Sequence, residues 1–264
     1  METQHPIHSL FEKARTLAPY PPGVVPIPKL IDGVGFFPGA SGLWDARPNA
    51  PLPPLPIGQV MVLGHNFDSE AGYRASLANQ GEDMTCGTWP NLLRVLGQIR
   101  ISRPSCWFTN AYMGVIAGRN NTGEFPGSRD HAFVRRCQDF LAEQIATQRP
   151  RLIITLGAYV PPFIATLSRD LQAWQGCYSL KDLDERGTSL IPHARIGDVT
   201  ATVVAATHPG FWGPNMRWRS YGLLRGEPAA LQMLRDAKEG SGIATVTDAA
   251  RLRLLPIARA EPRH

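Results

Sequence analysis

The sequence predicts an α/β fold, in which a central, mostly parallel four-stranded sheet lies between two layers of helices. The first observation behind this prediction is a set of four short apolar runs, most of them rich in β-branched residues, at 60–63, 106–108, 152–156 and 202–206. Continuous apolar runs of this length are typical of strands that are buried on both faces. The second observation is that helical hydrophobic patterns separate the runs, as the crossovers of a parallel sheet require.

A third observation concerns the residues that follow these runs. The first run leads into Gly64-His65-Asn66, the second into Thr109-Asn110 and the fourth into Thr207-His208. In open α/β sheets, ligands bind beyond the carboxyl ends of the strands. We therefore expect Asn66, Asn110 and His208, which are far apart in sequence, to meet in one pocket.

The remaining elements are predicted from hydrophobic spacing and from proline. Apolar residues at helical spacing predict helices over 6–17, 89–97, 131–147, 159–174 and 228–237. Residues 176–200 are expected to form loops and a short hairpin.

Proline usage divides the chain into three parts. Residues 19–56 are rich in proline, which resists helix and central strand, yet they contain too many apolar residues for a disordered linker. We therefore predict a proline-rich arm over 1–57 that packs on the core, an α/β domain over 58–242, and a C-terminal tail over 243–264.

Charge and cysteine usage restrict the partners and the compartment. The net charge of +5 mildly favours polyanionic partners. The chain has no apolar run of about 18 residues and no signal-peptide pattern, so we expect no membrane partner. Its four cysteines are widely separated and form no Cys-x-x-Cys pair, which argues against a zinc site. A cytoplasmic, monomeric protein with reduced thiols is the expectation.

Four segments in order carry a family resemblance. They are Gly64-His65-Asn66, Phe108-Thr109-Asn110-Ala111, the helix–proline–strand–glycine segment 137–157, and Thr207-His208-Pro209-Gly210. Together they resemble the motifs of the uracil-DNA glycosylase superfamily across residues 58–237, and the pattern is most similar to its iron–sulfur branch. The resemblance implies a three-layer α/β/α fold of the uracil-DNA glycosylase type, and DNA as the partner.

The resemblance also implies an activity. A DNA glycosylase flips a base out of the helix and hydrolyses its N-glycosidic bond, which leaves an abasic site for base-excision repair. No lysine lies in the four motifs, so we expect a monofunctional enzyme that uses water as the nucleophile.

Three departures from the family pattern stand out. Phe67-Asp68 follows the first motif where Pro-Gly or Pro-Tyr is common, and Gly210 replaces the usual serine of the last motif. Of the four cluster cysteines only Cys137 has a counterpart here. Since four thiolates hold such a cluster, we expect no iron–sulfur cluster, no other metal and no cofactor.

The resemblance assigns the catalytic roles to three residues. His208 is expected to stabilise the negative charge that develops on the departing base, unless it is only a turn residue before Pro209. Asn66 is expected to orient the attacking water. Asp68 is the rival, either as a general base or as the cap of a following helix.

Five residues are considered for binding the base. Asn110 has the donor and acceptor needed for a pyrimidine edge, although an Asx turn at the strand end is the alternative. Trp89 is the first candidate for stacking on the base, with Phe67 and Tyr73 as rivals, and any of them can be a core residue instead. His65 belongs either at the pocket mouth or on the surface.

The segment after His208 mixes aromatic and basic residues, as a DNA contact would. Apolar side chains can fill the gap that a flipped base leaves, and arginines can contact flanking phosphates. The wedge candidates are Phe211, Trp212 and Met216, and the phosphate candidates are Arg217, Arg219 and, in the glycine-rich loop 114–127, Arg119. The alternative is a core-packed loop with two solvated arginines.

The substrate stays open at this point. Uracil is the base that the resemblance implies first, and another modified pyrimidine is compatible with it. The departures also allow a bulky modified phage cytosine, such as glucosylated hydroxymethylcytosine, excised in antiviral defence. A non-catalytic DNA-binding relative and an unrelated small-molecule α/β enzyme remain as alternatives.

Overall fold

The fold is given by a computed structural model, which describes residues 6–14, 16–27, 55–79, 85, 87–120 and 122–243. Most of the proline-rich stretch, 28–54, and nearly all of the predicted tail, 244–264, lie outside the described residues. The predictions for those two segments therefore stay predictions.

Helices and strands alternate along the described chain. The helices are α1 (Pro6–Ala14), α2 (Glu70–Ala78), α3 (Thr88–Gln98), α4 (His131–Gln148), α5 (Val160–Ile164), α6 (Leu180–Glu185), α7 (Trp212–Met216) and α8 (Gly226–Gly240). The strands are β1 (Val24–Val25), β2 (Val60–Gly64), β3 (Cys106–Asn110), β4 (Val115–Ile116), β5 (Leu152–Leu156), β6 (Leu190–Ile196), β7 (Val199–Ala206), β8 (Ser220–Tyr221) and β9 (Leu224–Arg225). Short 3-10 helices span Arg103–Ser105, Pro126–Arg129, Ala165–Leu167, Arg169–Trp174 and Pro209–Phe211.

The central sheet is mixed and has five strands, in the order β3-β2-β5-β7-β6. The first four are parallel and coincide with the four apolar runs, and β6 is antiparallel to β7. The predicted count of four strands is wrong, because the hairpin expected within 176–200 is formed by β6 and β7, so that residues 190–196 join the central sheet as a fifth strand. This edge strand is partly exposed and its register shifts between Ile191 and Ala194, so it lacks a regular strand pattern.

Two apolar clusters cover the two faces of the sheet. Alternate residues of β2 contribute to each, with Met61 and Leu63 in one cluster and Val60 and Val62 in the other. Buried residues of α4 join the first cluster, and buried residues of α3 and α8 join the second. Helices therefore pack on both faces, which leaves the carboxyl edge of the parallel strands open for a ligand.

The described part of the N-terminal arm packs on the domain. Leu10 and Phe11 of α1 are buried in the same cluster as Met61. The Arg136 guanidinium donates to the carbonyl of Leu17 at 3.1 Å and to that of Pro19 at 2.5 Å. Strand β1 pairs with β4, which follows Asn110 by a few residues. The arm thus supports the segment behind a predicted site residue.

The helix predictions need two corrections. The predicted helix 159–174 is an α-helix only to Ile164 and continues as two 3-10 segments, because Ser168 takes an extended conformation at φ −152°. Helices α2, α6 and α7 were not predicted. Among the described residues, no helix is long and apolar enough to cross a membrane.

Candidate functional site

A cavity of about 840 Å³ opens at the carboxyl edge of the parallel strands. The residues that follow β2, β5 and β7 contribute to its wall, as does the last residue of β3. Asn66, Asn110 and His208 all line it. The three residues that the sequence singled out at separate strand ends therefore share one cavity.

Strand register brings these residues together. Gly64 of β2 lies beside Asn110 of β3, and Leu156 of β5 lies beside Ala206 of β7. Because the strands are parallel and end at the same level, the loops that follow β2, β5 and β7 lie on the same edge. His65, Gly157 and Thr207, the residues next along the chain, accordingly line the cavity.

His208 has a defined hydrogen-bond geometry. It caps the 3-10 helix Pro209–Phe211, where its Nδ1 accepts from the backbone N–H of Gly210 at 3.2 Å. Burial lowers the pKa of His208 to about 4, so the imidazole is neutral at pH 7. A neutral imidazole that accepts through Nδ1 carries its proton on Nε2. The side chain can therefore donate one hydrogen bond through Nε2.

Gly157 makes room for His208. It has φ +87°, and a Cβ at this position would lie 3.2 Å from the Cβ of His208. Glycine satisfies both constraints, since it tolerates positive φ and adds no side chain. The turn after β5 thus approaches His208 more closely than an ordinary residue allows.

His65 lies in an aromatic setting on the cavity wall. Its ring stacks on Tyr159 at 4.9 Å between centroids and meets Tyr112 edge-on at 5.4 Å. Burial, followed by the charge of His208, lowers the pKa of His65 to about 4. The structure places His65 in the cavity wall, half-buried, and a second neutral imidazole therefore faces the site.

Asp68 sits in a strained backbone conformation at the start of α2. Its φ is +112°, and its carboxylate accepts from the backbone N–H of Ser69 at 2.6 Å. Ser69, and not Asp68, is the cap residue, since its hydroxyl accepts from the N–H of Gly72 at 3.1 Å. Both Asp68 and Asn66 line the cavity.

The base-binding candidates differ in burial. Asn110 is fully buried at the end of β3 and lines the cavity. Trp89 is 1% exposed and packs edge-on against Phe108 at 5.5 Å between centroids, which makes it a core residue bordering the cavity. Phe67 is also buried and borders the cavity, with its ring 6.1 Å from that of Tyr73.

The segment after His208 divides into exposed and buried side chains. Phe211 is 51% exposed, whereas Trp212 and Met216 are buried in the core. The wedge prediction for Trp212 and Met216 is therefore wrong, because their side chains belong to the cluster packed under β2. Trp218 was not predicted, yet it is 52% exposed and lines the cavity, with the Arg217 guanidinium 4.6 Å from its ring centroid.

The prediction that Arg219 contacts phosphate is wrong. Arg219 is 2% exposed and donates to both carboxylate oxygens of Asp184, at 2.8 and 2.9 Å. Local sequence did not reveal this ion pair, because Asp184 lies 35 residues away in a segment without a recognisable motif. Arg119, in contrast, is exposed, and its segment reaches the cavity wall through Thr122 and Gly123.

An iron–sulfur cluster has no matching set of ligands in the part of the chain that the structure describes. No three His, Cys, Asp or Glu side chains are grouped there so as to hold a metal ion. Cys106, Cys137 and Cys177 are free and buried, and Cys86 lies outside the described residues. Burial raises the pKa of the Cys137 thiol to about 12, which favours the protonated form over a metal-binding thiolate.

The chain was also compared with known proteins. No protein-family model matches it, and no curated protein matches it in sequence.

Proposed function

We propose that this protein is a monofunctional DNA glycosylase that accepts a flipped pyrimidine and hydrolyses its N-glycosidic bond. The observation that carries the proposal is the meeting of His208, Asn66 and Asn110 in one cavity, with the Nδ1 of His208 already occupied by a backbone donor. The family resemblance of the four segments supports the same activity. An α/β fold with a ligand cavity beyond the strand ends is compatible with it.

His208 supplies the stabilisation of the leaving group. Breaking the bond leaves negative charge on the base, and the Nε2–H of a neutral imidazole can donate to the oxygen where this charge develops. The Gly210 N–H fixes the tautomer before the substrate arrives, so no proton has to be rearranged during the reaction. A preorganised donor of this kind contributes about 3–4 kcal/mol to the barrier reduction.

Asn66 and Asn110 supply positioning. The Asn66 amide can hold a water by donating and accepting, and Asp68, two residues away, adds a carboxylate to the same wall. Asn110 offers both a donor and an acceptor to the edge of a base. The side chain is buried at the end of β3, on the wall of the cavity.

The rim of the cavity carries exposed aromatic and basic side chains of the kinds that open a DNA duplex. Phe211 and Trp218 are large apolar side chains that are half exposed, and Arg217 lies against Trp218. Apolar wedges between base steps stabilise a flipped state, and arginine contributes a phosphate contact. The net charge of +5 agrees with a polyanionic partner.

The test is base release from DNA, identified by mass spectrometry of the freed product. The substrates are a uracil duplex, a uracil single strand, and phage DNA with modified or unmodified cytosine. We expect release by the wild type, and a fall of about 10²–10³-fold in His208→Ala without loss of DNA affinity. Asn66→Ala should also lower turnover while DNA binding persists. Tight DNA binding without release from any substrate would instead favour a non-catalytic DNA-binding relative.

Borohydride trapping tests the monofunctional part of the proposal. Lys181 lines the cavity, 3.4 Å from the carboxylate of Glu185. A covalent enzyme–DNA adduct that disappears in Lys181→Gln would show Schiff-base chemistry and would contradict hydrolysis by water alone.

The size of the cavity favours a second candidate substrate, a pyrimidine with a bulky substituent. A volume of about 840 Å³ lies near the upper end of the range of about 300–1,000 Å³ that holds drug-sized ligands. Tyr159 from the turn after β5, Ser179 at the cap of α6 and Lys181 in the first turn of α6 line one part of the wall, where they offer polar groups to such a substituent. Strong release of a glucosylated cytosine with weak release of uracil would support this substrate and an antiviral role; the reverse would support uracil.

A further inference from the structure

The loop that carries His208 is closed at its base by a buried ion pair. Residues 208–218 run from His208 to Trp218, and the flanking residues Thr207 and Arg219 are joined by a hydrogen bond from the guanidinium to the Thr207 hydroxyl at 3.2 Å. The same guanidinium donates to the carbonyl of Ala205 in β7 at 2.9 Å. Arg219 therefore connects the end of the loop to its beginning.

Asp184 holds the guanidinium in place. Its side chain is fully buried and accepts from Arg219 at 2.8 and 2.9 Å. It also accepts from the backbone N–H of Ser220 at 2.9 Å and from the hydroxyl of Ser189. A buried carboxylate is costly unless its oxygens are satisfied, and here four donors satisfy them. Asp184 thus fixes the geometry of Arg219 and of the strand that follows the loop.

We propose that Arg219, held by Asp184, is a positioning residue that fixes the imidazole of His208 through Thr207. Thr207 is buried and directly precedes His208, so its rotamer and backbone set the direction in which the imidazole leaves β7. The role in turnover rests on the proposed function, whereas the orientation of His208 is a property of the folded chain.

The structure offers a matched pair of threonines to test this role. Thr207→Val removes only the hydroxyl that accepts from Arg219 and leaves the Asp184–Arg219 ion pair intact. Thr155→Val is the control, because Thr155 of β5 is as deeply buried as Thr207 and its hydroxyl donates to the Val204 carbonyl at the same 3.2 Å. The hydrogen bond of the control hydroxyl thus joins β5 to β7 within the sheet.

The first readout is the split between kcat and KM for base release. We expect Thr207→Val to lower kcat about tenfold, as the loss of one hydrogen bond to a charged group implies, with KM within about twofold of wild type. Thr207→Ser keeps the hydroxyl and should restore turnover. Thr155→Val should stay within about twofold of wild type in both constants. Equal effects of the two valine variants, or no effect of either, would overturn the positioning role.

The second readout does not depend on activity. The side-chain nitrogen resonances of ¹⁵N-labelled histidine report the tautomer and pKa of His208. We expect the wild type to show the Nε2–H tautomer, and Thr207→Val, but not Thr155→Val, to show a mixture. If the wild type releases no base but this shift occurs, the glycosylase assignment fails, while the clamp, meaning the positioning of His208 by Asp184, Arg219 and Thr207, stands. An unchanged His208 signal in Thr207→Val and in Thr207→Ala would refute the clamp.

Discussion

The backbone N–H of Gly210 donates to the Nδ1 of His208 at 3.2 Å, two residues along the same loop. This contact is available only to an imidazole with a lone pair on Nδ1, and so only to the neutral form with its proton on Nε2. Protonation of His208 would place two donors against each other. The short loop after β7 therefore selects both the charge state and the tautomer of the side chain that faces the cavity.

The activity is predicted to persist well below the ordinary histidine pKa. Because the pKa of His208 is about 4, the neutral donor remains populated at pH 5. For the proposed glycosylase we expect no acid limb near pH 6.5 that depends on His208. Single-turnover base release between pH 4.5 and 8 measures this. A fall in rate with a midpoint near 6.5 would show that His208 is not held neutral.

Folding stability is predicted to fall in acid because of the two cavity histidines. The pKa of each is about 4 in the folded chain and about 6.5 in the unfolded one, so stability is complete above pH 6.5. Between about pH 6.5 and 4 the two histidines bind protons in the unfolded chain but stay neutral in the folded chain. The free energy of unfolding then drops by up to about 1.4 kcal/mol per pH unit for each histidine. Urea unfolding at pH 7, 6 and 5 should show a shallower pH dependence in His65→Gln, and an unchanged slope would contradict the assignment.

Substitution of Gly157 is predicted to affect turnover as well as stability. Gly157→Ala introduces positive-φ strain of about 1–2 kcal/mol and a methyl group 3.2 Å from the Cβ of His208. Gly176→Ala is the control, because Gly176 has φ +65° and open space around it. Thermal unfolding should shift similarly in both variants, whereas base release should fall only in Gly157→Ala. Equal activity of the two would mean that His208 tolerates the added methyl group.

Gly72→Ala is predicted to destabilise the protein, although alanine in a helix is ordinarily more stable than glycine. Gly72→Ala would place its methyl group in steric overlap with Oδ2 of Asp68, which lies over the first turn of α2. Gly97→Ala, in α3, meets open space and should stabilise by about 0.5–1 kcal/mol through helix propensity. We expect Gly72→Ala to lower the unfolding free energy and turnover. A stabilised, fully active Gly72→Ala protein would show that the position of Asp68 is not important.

Phe211 and Trp218, the exposed aromatic residues of the loop 208–218, are predicted to act on duplex DNA. Phe211→Ala and Trp218→Ala remove half-exposed side chains and should leave the melting temperature nearly unchanged. Base release should fall more on a duplex than on a single strand, since a single strand offers no partner base to replace. Trp212→Ala is the contrast, because it opens a cavity in the core and should cost about 3–5 kcal/mol of stability. An equal loss on both substrates would contradict a wedge.

The parallel strands could be predicted because burial on both faces leaves a continuous apolar pattern. The runs at 60–63 and 152–156 coincide with β2 and β5 almost residue for residue. Strand β6 could not be predicted in the same way, because it is an edge strand with exposed residues, a register shift and positive φ at His193. A short hairpin was expected in this region, but nothing in the pattern of 190–196 shows that its first strand extends the central sheet at the edge beside β7.

Site residues that directly follow a strand could be predicted from the sequence. Residues whose role depends on whether the side chain is buried or exposed were harder to predict. Asn66, Asn110 and His208 are strand-end residues, so topology alone brings them together. In the segment 211–219, aromatic and basic residues alternate without a period that separates the buried side chains from the exposed ones. Trp212 is buried in the core whereas Trp218 is half exposed at the cavity, and the sequence around them does not show which is which. The partner of Arg219, Asp184, lies in a distant segment of the chain.

The loop 208–218 carries the imidazole of His208 together with the exposed side chains of Phe211 and Trp218, and the hydrogen bond between Arg219 and Thr207 closes it. Under the proposed function, the rate of base release and the preference for duplex or single-stranded DNA therefore both depend on this one segment. Asn110 sits on a separate strand outside this unit. Selection could thus retune the recognised base at β3 while leaving the loop intact, whereas a change of preferred DNA structure would be accompanied by a change in rate.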